Sequence, residues 1–274
     1  MRECLNSNGI ACVPDIYSVN EMGRLNQKID NLFLERSDQP RSYIRPDDMN
    51  ELGIMDEVLN PRMMDLLFSI IPDPVLYHFH FYEIAAKQEK SHIFSENLLG
   101  WHRDPDCTFR ASDPTHLSIF VYFSDVGPDD GPFEFVPNLT TENLSSGAKV
   151  ASMQGPAGMS FVWHRRFFHR AAPNRGSRRR RLLKISVQNN EFKSAHLKRP
   201  FFRNWIDTVP EGNIEMDMLL GRFQGKKAPK IKRAKTEILW DHVRITESLN
   251  LSTDLEQKLV EIEEKSKTEP VAYD

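Results

Sequence analysis

Five short segments in the middle of the chain constrain its fold more than any other feature. VLYHFHFYEIAA (75–86), HLSIFVYFSDV (116–126), GPFEFVPN (131–138), GMSFVWH (158–164) and RLLKISVQNN (181–190) are rich in β-branched and aromatic residues and bounded by Gly, Pro, Asp and Asn. Branched and aromatic side chains pack well on a pleated surface and the bounding residues supply turns, so these segments read as strands. GPDDG at 127–131 is a turn by composition. Two helices come first. Ser18 followed three residues later by Glu21 forms a capping box, and Met22, Leu25, Ile29, Leu32 and Phe33 recur at helical spacing, which predicts a helix over 18–36. Asn60 and Pro61 open a second, carrying Met63, Met64, Leu67 and Ile70 and stopping before Pro72. Helices followed by a run of short strands predict an α+β fold with an antiparallel core, closed as a barrel or double-sheet jelly roll, in place of alternating βαβ units.

Beyond about residue 191 the apolar density drops, although FFRNWI and ILWDHVRI keep anchors that can pack back on the core. Thr253 and Glu256 form another capping box, and Leu255, Leu259 and Ile262 give a stripe, predicting a helix over 253–266. The chain therefore reads as a core of helices and strands over 1–190 and a helical C-terminal extension over 191–274, packed on the core and partly flexible.

Charge and cysteine usage narrow the class. Thirty-six basic against 39 acidic residues leave a net charge of −3, so no global field draws the chain to nucleic acid or to a membrane surface. No apolar run has the length of a membrane span, and the opening MRECLNSNGIACVPD lacks the apolar stretch of a signal peptide. Three scattered cysteines (Cys4, Cys12, Cys107) without CxxC spacing suit a reducing compartment. The expectation is a cytoplasmic protein whose oligomeric state is open.

LLGWHRDPD (98–106) carries the first chemical signal. Along an extended chain His102 and Asp104 share one face, where two Lewis bases can hold one small cation. Taken alone, a hydrogen-bonded pair is the commoner reason for a His-x-Asp. A third ligand has to come from a distant strand, and GMSFVWHRRFFHRAAPNRGSRRRR offers His164 and His169. Five apart on a continuous strand, they face opposite ways, so only one can join. Two histidines and a carboxylate with open positions opposite form the facial triad of non-haem Fe(II) oxygenases. The arginine run 178–181 can supply a bidentate clamp for a cosubstrate carboxylate.

WHRD, then IFVYFSDVGPDDGPFEFVP, then GPAGMSFVWHRRFFHRAAPNRGSRRRRLL resemble, in order and spacing, the phytanoyl-CoA dioxygenase family of Fe(II)/2-oxoglutarate oxygenases, and NGIACVPDIYSVNEMGRLNQKIDNLF is similar to that family's N-terminal strand and helix. The resemblance runs from about residue 5 to about residue 190 and implies a double-stranded β-helix (a cupin-like jelly roll) with Fe(II), 2-oxoglutarate and O2 as cofactors. It places the iron ligands on His102, Asp104 and His169, the last falling eleven residues after Gly158. It further implies that Asn174 accompanies the second histidine, that Arg180 binds the distal carboxylate of 2-oxoglutarate, and that Phe120 and Arg103 line or reach the cosubstrate. PNLT (137–140) departs from the family's loop, which bears on substrate choice. Related halogenases replace the carboxylate ligand by a small residue, so Asp104 implies hydroxylation.

The reaction implied is hydroxylation of an unactivated C–H bond of a small molecule, with release of succinate and CO2. The alternatives are a hydroxylase of a protein or glycan, a non-catalytic metal-binding jelly roll, and a zinc-dependent cupin-like enzyme. RGSRRRR invites a nucleic-acid reading, but in a strand its arginines alternate faces, so one parity can enter the barrel while the other forms an outer face. His78 and His80, in an aromatic strand with no carboxylate nearby, read as packing or pocket wall, and Trp101 and Tyr122 fit pocket and core equally well.

Overall fold

The computed structural model describes residues 5, 9–90, 100–102, 116–137, 150–165, 167–190, 203–223 and 243–245. Arg103, Asp104, Cys4, Cys107, the basic segment QGKKAPKIKRAK (224–235), expected from its sequence to be a loop, and the helix expected over 253–266 lie outside the described residues.

Strand β1 (Ile10–Val13) leads into helix α1 (Val19–Glu35), whose N-cap Ser18 accepts from the Glu21 amide while the Glu21 carboxylate takes the Ser18 amide. Each partner thus satisfies one of the amides that a helix start leaves without an intrahelical acceptor. Met22, Leu25, Ile29 and Phe33 form its buried stripe. Burial of such side chains stabilises by about 1.5–3 kcal/mol each, so a charge at Leu25, which is 0% exposed, would undo the docking. After β2 (Arg41–Ile44) come the short helices α2 (Pro46–Glu51) and α3 (Met55–Val58), then α4 (Pro61–Ile70), capped by the Asn60 side chain on the Met63 amide.

The strands β3 (Pro74–Ile84), β4 (His116–Tyr122), β5 (Phe133–Phe135), β6 (Ala151–Met153), β7 (Ser160–His164), β8 (His169–Ala171) and β9 (Arg180–Asn189) follow. With β10 (Val243–Ile245) they build two antiparallel sheets, a six-stranded one in the order β1-β7-β4-β9-β3-β2 and a four-stranded one in the order β10-β6-β5-β8. This is the jelly-roll core with flanking helices that the strand pattern predicts.

Alternation along the central strands makes two hydrophobic layers. Leu117, Ile119 and Val121 of β4 and Leu183, Ile185 and Val187 of β9 face the helices, against Leu25, Ile29 and Phe33 of α1 and Met63 and Leu67 of α4. Phe120, Tyr122, Leu182 and Tyr82 face the second sheet, against Phe133, Phe135, Ala151 and Met153. Both faces of β4 are covered, so all seven of its residues are buried.

One feature differs from the sequence expectation. His164 and His169 are not on one continuous strand: β7 ends at His164 in the large sheet and β8 begins at His169 in the small one, so strand parity does not relate them. Past residue 190 the described chain forms helices α5 (Arg203–Thr208) and α6 (Ile214–Leu219) and strand β10, which pairs with β6. Trp205 packs edge-on against Phe79 at 5.8 Å between ring centroids, and Leu219 and Leu220 join the helix-side layer. Among the described residues no helix is long and apolar enough to cross a membrane.

Candidate active site

β8 is held edge-on to the chain at residue 102 by an isolated antiparallel bridge between His102 and His169. Their ring centroids lie 4.3 Å apart. The His102 Nδ1 is 2.8 Å from the Gly100 carbonyl oxygen and the His169 Nδ1 is 2.9 Å from that of Phe167. A carbonyl only accepts, so each Nδ1 carries the proton and donates it, and the Nε2 lone pair of each ring is the one presented for ligation. The second hydrogen bond of a metal-bound histidine characteristically has this form. His164 is placed elsewhere: it pairs with Leu117 on the helix-facing parity of the sheet and its ring meets Phe167 at 5.8 Å. Among the described residues there is no group of three potential metal ligands. Of the three ligands that the family resemblance implies, His102 and His169 are among the described residues and Asp104 is not.

From His169 a line of rings crosses the barrel. Trp163 stands 4.3 Å and Phe133 5.6 Å from His169, Phe120 is 5.5 Å from Trp163, and Tyr82 is 6.4 Å from Phe120, all between centroids. At the far end is Arg180, 1% exposed, whose Nη2 donates to the Tyr82 hydroxyl at 3.0 Å and whose Nη1 donates to the Gly131 carbonyl. Phe120 thus lies between the histidine end and the arginine end.

The arginine run divides by parity. Arg180 points into the barrel, while Arg179 and Arg181 meet Glu83 on the other face, Arg181 at 2.8 Å, and Arg181 also meets Asp30 at 2.7 Å. Asn174, fully buried, donates from its side-chain amide to the Ile84 carbonyl at 3.3 Å and the Arg178 carbonyl at 2.9 Å. It fastens the end of β3 to the segment entering β9, two residues ahead of Arg180. Tyr122, which could have been pocket or core, bridges the sheets: its hydroxyl donates to the Met153 carbonyl at 2.8 Å and accepts from the Phe133 amide at 3.2 Å.

Sequence reasoning passed over Trp163, Tyr82, Lys184 and Arg41. Cross-strand register would have found two of them, Lys184 and Arg41, because His80, Lys184, Phe120 and Phe161 form one row and Arg41, Ile84 and Arg180 another. The Lys184 Nζ lies 5.9 Å from the ring centroids of both Phe120 and Trp163. His80 in the same row is held well below the ordinary histidine pKa by burial first and then by the charges of Lys184, His78, Arg41 and Arg45.

The interior fits an iron and oxo-acid pair. Buried polar groups in folded proteins normally have partners, yet Arg41 Nε, Arg180 Nε and Trp163 Nε1 are buried donors with no hydrogen-bond partner. Donors that end in an apolar interior suit an anionic ligand, and the two Nε2 lone pairs suit a divalent metal.

Comparison with known proteins bears on the fold and the family. Among curated proteins no sequence matches the chain. Of solved structures, the non-heme alpha ketoglutarate dependent epimerase SnoN from nogalamycin biosynthesis is 16% identical with a TM-score of 0.53, the match covering 86% of this chain and 95% of that one. SnoN in complex with Fe3+, alpha ketoglutarate and nogalamycin RO is 14% identical at a TM-score of 0.53, covering 89% and 96%. EvdO2 from Micromonospora carbonacea var. aurantiaca, complexed with 2-oxoglutarate, is 16% identical at a TM-score of 0.50, covering 69% and 89%. At these identities the likeness is one of fold. The sequence itself matches the family described as Phytanoyl-CoA dioxygenase (PhyH) over residues 5–182, from ahead of β1 to the first residues of β9, and the chain belongs to that family.

Proposed function

We propose that this enzyme is an Fe(II)- and 2-oxoglutarate-dependent hydroxylase of a small molecule. Family membership makes it a non-haem iron and 2-oxoglutarate enzyme; the proposal adds the hydroxylation and the substrate class. The observation that carries it is the placement of the His102–His169 pair and the buried Arg180 at two ends of one ring-lined interior.

In this reading His102 and His169 supply two imidazole ligands through Nε2, and the carboxylate of Asp104 supplies the third on the strength of its His-x-Asp spacing. Arg180 takes the distal carboxylate of 2-oxoglutarate, with the Tyr82 hydroxyl beside it. Asn174 holds the backbone that aims Arg180, and Arg103, between His102 and Asp104 in sequence, is assigned to the cosubstrate. Phe120, Phe133 and Trp163 exclude water, which strengthens every charge interaction between them. When bound, iron and 2-oxoglutarate supply the oxidant: the substrate C–H and O2 become C–OH while 2-oxoglutarate becomes succinate and CO2, and the protein fixes geometry. The SnoN complex with nogalamycin RO supports a small-molecule substrate in this fold. Domain limits of 1–190 for the catalytic core and 191–274 for the extension belong to the same proposal, as does a cytoplasmic location.

The test is anaerobic titration with Fe(II) and then 2-oxoglutarate, following the visible charge-transfer band of an oxo-acid chelated to Fe(II). The band should vanish in His169→Ala and should need far more 2-oxoglutarate in Arg180→Ala. Failure of the wild-type protein to bind either component would return the jelly roll to a non-catalytic role.

A further inference from the structure

The backbone bridge joins His102 to His169, and their chain neighbours are joined on the opposite face. Trp101 precedes His102 and Arg170 follows His169. In an antiparallel pair centred on 102 and 169, residues 101 and 170 stand opposite each other and share a face. The Arg170 Cζ lies 4.8 Å from the centre of the Trp101 ring. Arg170 is also the cross-strand partner of Glu134 on β5, and its Nε donates to Glu134 Oε2 at 2.6 Å. Glu134, Arg170 and Trp101 therefore form one row across three chain segments. Alternation puts that row on the face of the small sheet away from Phe133, Phe135 and Ala171, which pack inside the barrel. Trp101 is buried, and the Arg170 and Glu134 side chains are only 11% and 13% exposed, so water screens the row little.

Each imidazole is aimed by its own backbone. His102 Nδ1 bonds the Gly100 carbonyl two residues back, and His169 Nδ1 bonds that of Phe167. A tilt of either peptide carries the ring with it and redirects Nε2. Gly100 has φ +87°, which costs glycine little, so the chain enters the bridge from a residue with little stiffness of its own. One isolated bridge fixes one point of that segment against β8 and does not oppose rotation about the point. The Trp101 ring under the Arg170 guanidinium is a second point of attachment. A cation over an indole is the most favourable contact of its kind, and the charge-assisted bond to Glu134 holds the cation in place.

We infer that the row Glu134, Arg170 and Trp101 is a buckle that sets the direction of the two ligating Nε2 atoms, which makes these three positioning residues for iron. This rests on the reading of His102 and His169 as iron ligands given above. The row reaches the metal only through the backbone of residues 100–102 and 167–169. Its loss therefore acts on iron affinity and on the ligand field, and leaves the arginine end of the barrel untouched.

The experiment titrates the full chain anaerobically with Fe(II) at saturating 2-oxoglutarate, following the charge-transfer band. It compares the wild type, Arg170→Gln, Arg170→Lys, Trp101→Ala, Trp101→Phe, Glu134→Gln and the double variant Trp101→Ala/Arg170→Gln, with His169→Ala as control. Metal-free melting and a 2-oxoglutarate titration of each iron-saturated protein accompany it. Arg170→Gln and Trp101→Ala should each bind Fe(II) about tenfold more weakly, as loss of support around a metal ligand does. Their band should shift, while the 2-oxoglutarate requirement of the iron-saturated protein stays that of the wild type. Glu134→Gln should fall between the wild type and Arg170→Gln. Arg170→Lys keeps a cation and Trp101→Phe keeps a ring, so each should bind Fe(II) more tightly than the variant that removes it. The double variant should lose no more than the worse single one, because both remove the same contact. If a truncated variant does not fold, Arg170→Lys and Trp101→Phe decide: weaker iron binding at an unchanged metal-free melting temperature supports the buckle, and wild-type iron binding in both overturns it. Wild-type iron affinity and band in Arg170→Gln and Trp101→Ala, at whatever melting temperature, would make the row structural and overturn the inference. Iron loss confined to His169→Ala would then leave the ligand reading standing. A wild-type protein that binds no Fe(II) would remove that reading and the inference with it.

Discussion

His102 and His169 exchange backbone hydrogen bonds, His102 donating to the carbonyl of His169 at 3.1 Å and His169 to that of His102 at 3.0 Å. The proximity of their rings is therefore set by main chain, and truncating either side chain leaves the bridge intact. His102→Ala and His169→Ala should each fold and lose high-affinity Fe(II). His164→Ala should keep the iron and lose packing, since its side is the helix-facing layer. Metal stoichiometry after gel filtration separates the three, and an iron-free His164→Ala would show that the wrong histidine has been assigned.

How much of this the sequence disclosed depended on element length. The eleven-residue β3 and ten-residue β9 are long enough for composition and alternation to declare them, and alternation allowed one parity of the 178–181 run to enter the barrel. β6 and β8 have three residues each and β2 four, too few for any period to emerge. That is why Arg41 went unseen: RSYI at a sheet edge gives no apolar alternation that would mark its odd positions as barrel-facing. The capping box at Ser18 was legible because its chemistry is local. The choice between His164 and His169 came from the family spacing and not from strand parity, because parity depends on which sheet each strand joins.

Gly131 links the turn at 127–131 to Arg180. Its φ is +71°, and a Cβ there would stand 2.9 Å from the Ala172 carbonyl oxygen and 3.1 Å from the Asn174 Cβ. The same residue's carbonyl receives the Arg180 Nη1. Gly131→Ala should combine backbone strain with a shifted acceptor, destabilising by about 1–3 kcal/mol and weakening 2-oxoglutarate binding more than Fe(II) binding. Denaturant unfolding and the two titrations check it. Fe(II) and 2-oxoglutarate affinities falling in parallel would indicate a general loosening of the site.

Glu83 is 4% exposed and receives both Arg179 and Arg181, the latter through Nε at 3.0 Å and Nη2 at 2.8 Å. Removing one member of a buried pair leaves the other charges uncompensated, at a cost of about 3–5 kcal/mol, reduced here because Arg179 is partly exposed. Glu83→Ala should therefore lower stability by about 2–3 kcal/mol and, by loosening the residues on either side of Arg180, raise the 2-oxoglutarate requirement. Calorimetric melting together with the titration tests both halves, and unchanged melting would show that solvent screens the pair.

His80 carries the pH dependence. Its Nε2 is buried with no hydrogen-bond partner, its ring lies among Tyr43, Tyr82 and His78, and Lys184, His78, Arg41 and Arg45 add positive charge to the effect of burial. The folded chain therefore keeps this imidazole neutral to well below its ordinary pKa, while the unfolded chain protonates it near pH 6.5. Between those two values the unfolded state binds the extra proton, so stability falls as pH drops below about 6.5, and the group contributes no pH slope above it. One full proton corresponds to about 1.4 kcal/mol per pH unit, the most that His80 can add to the slope. His80→Gln cannot take up that proton in either state. Urea unfolding at several pH values from 7.5 down to 5.5 should show a shallower acid decline in His80→Gln than in the wild type. Parallel declines would mean that neither burial nor the surrounding charges keep this imidazole neutral in the folded chain.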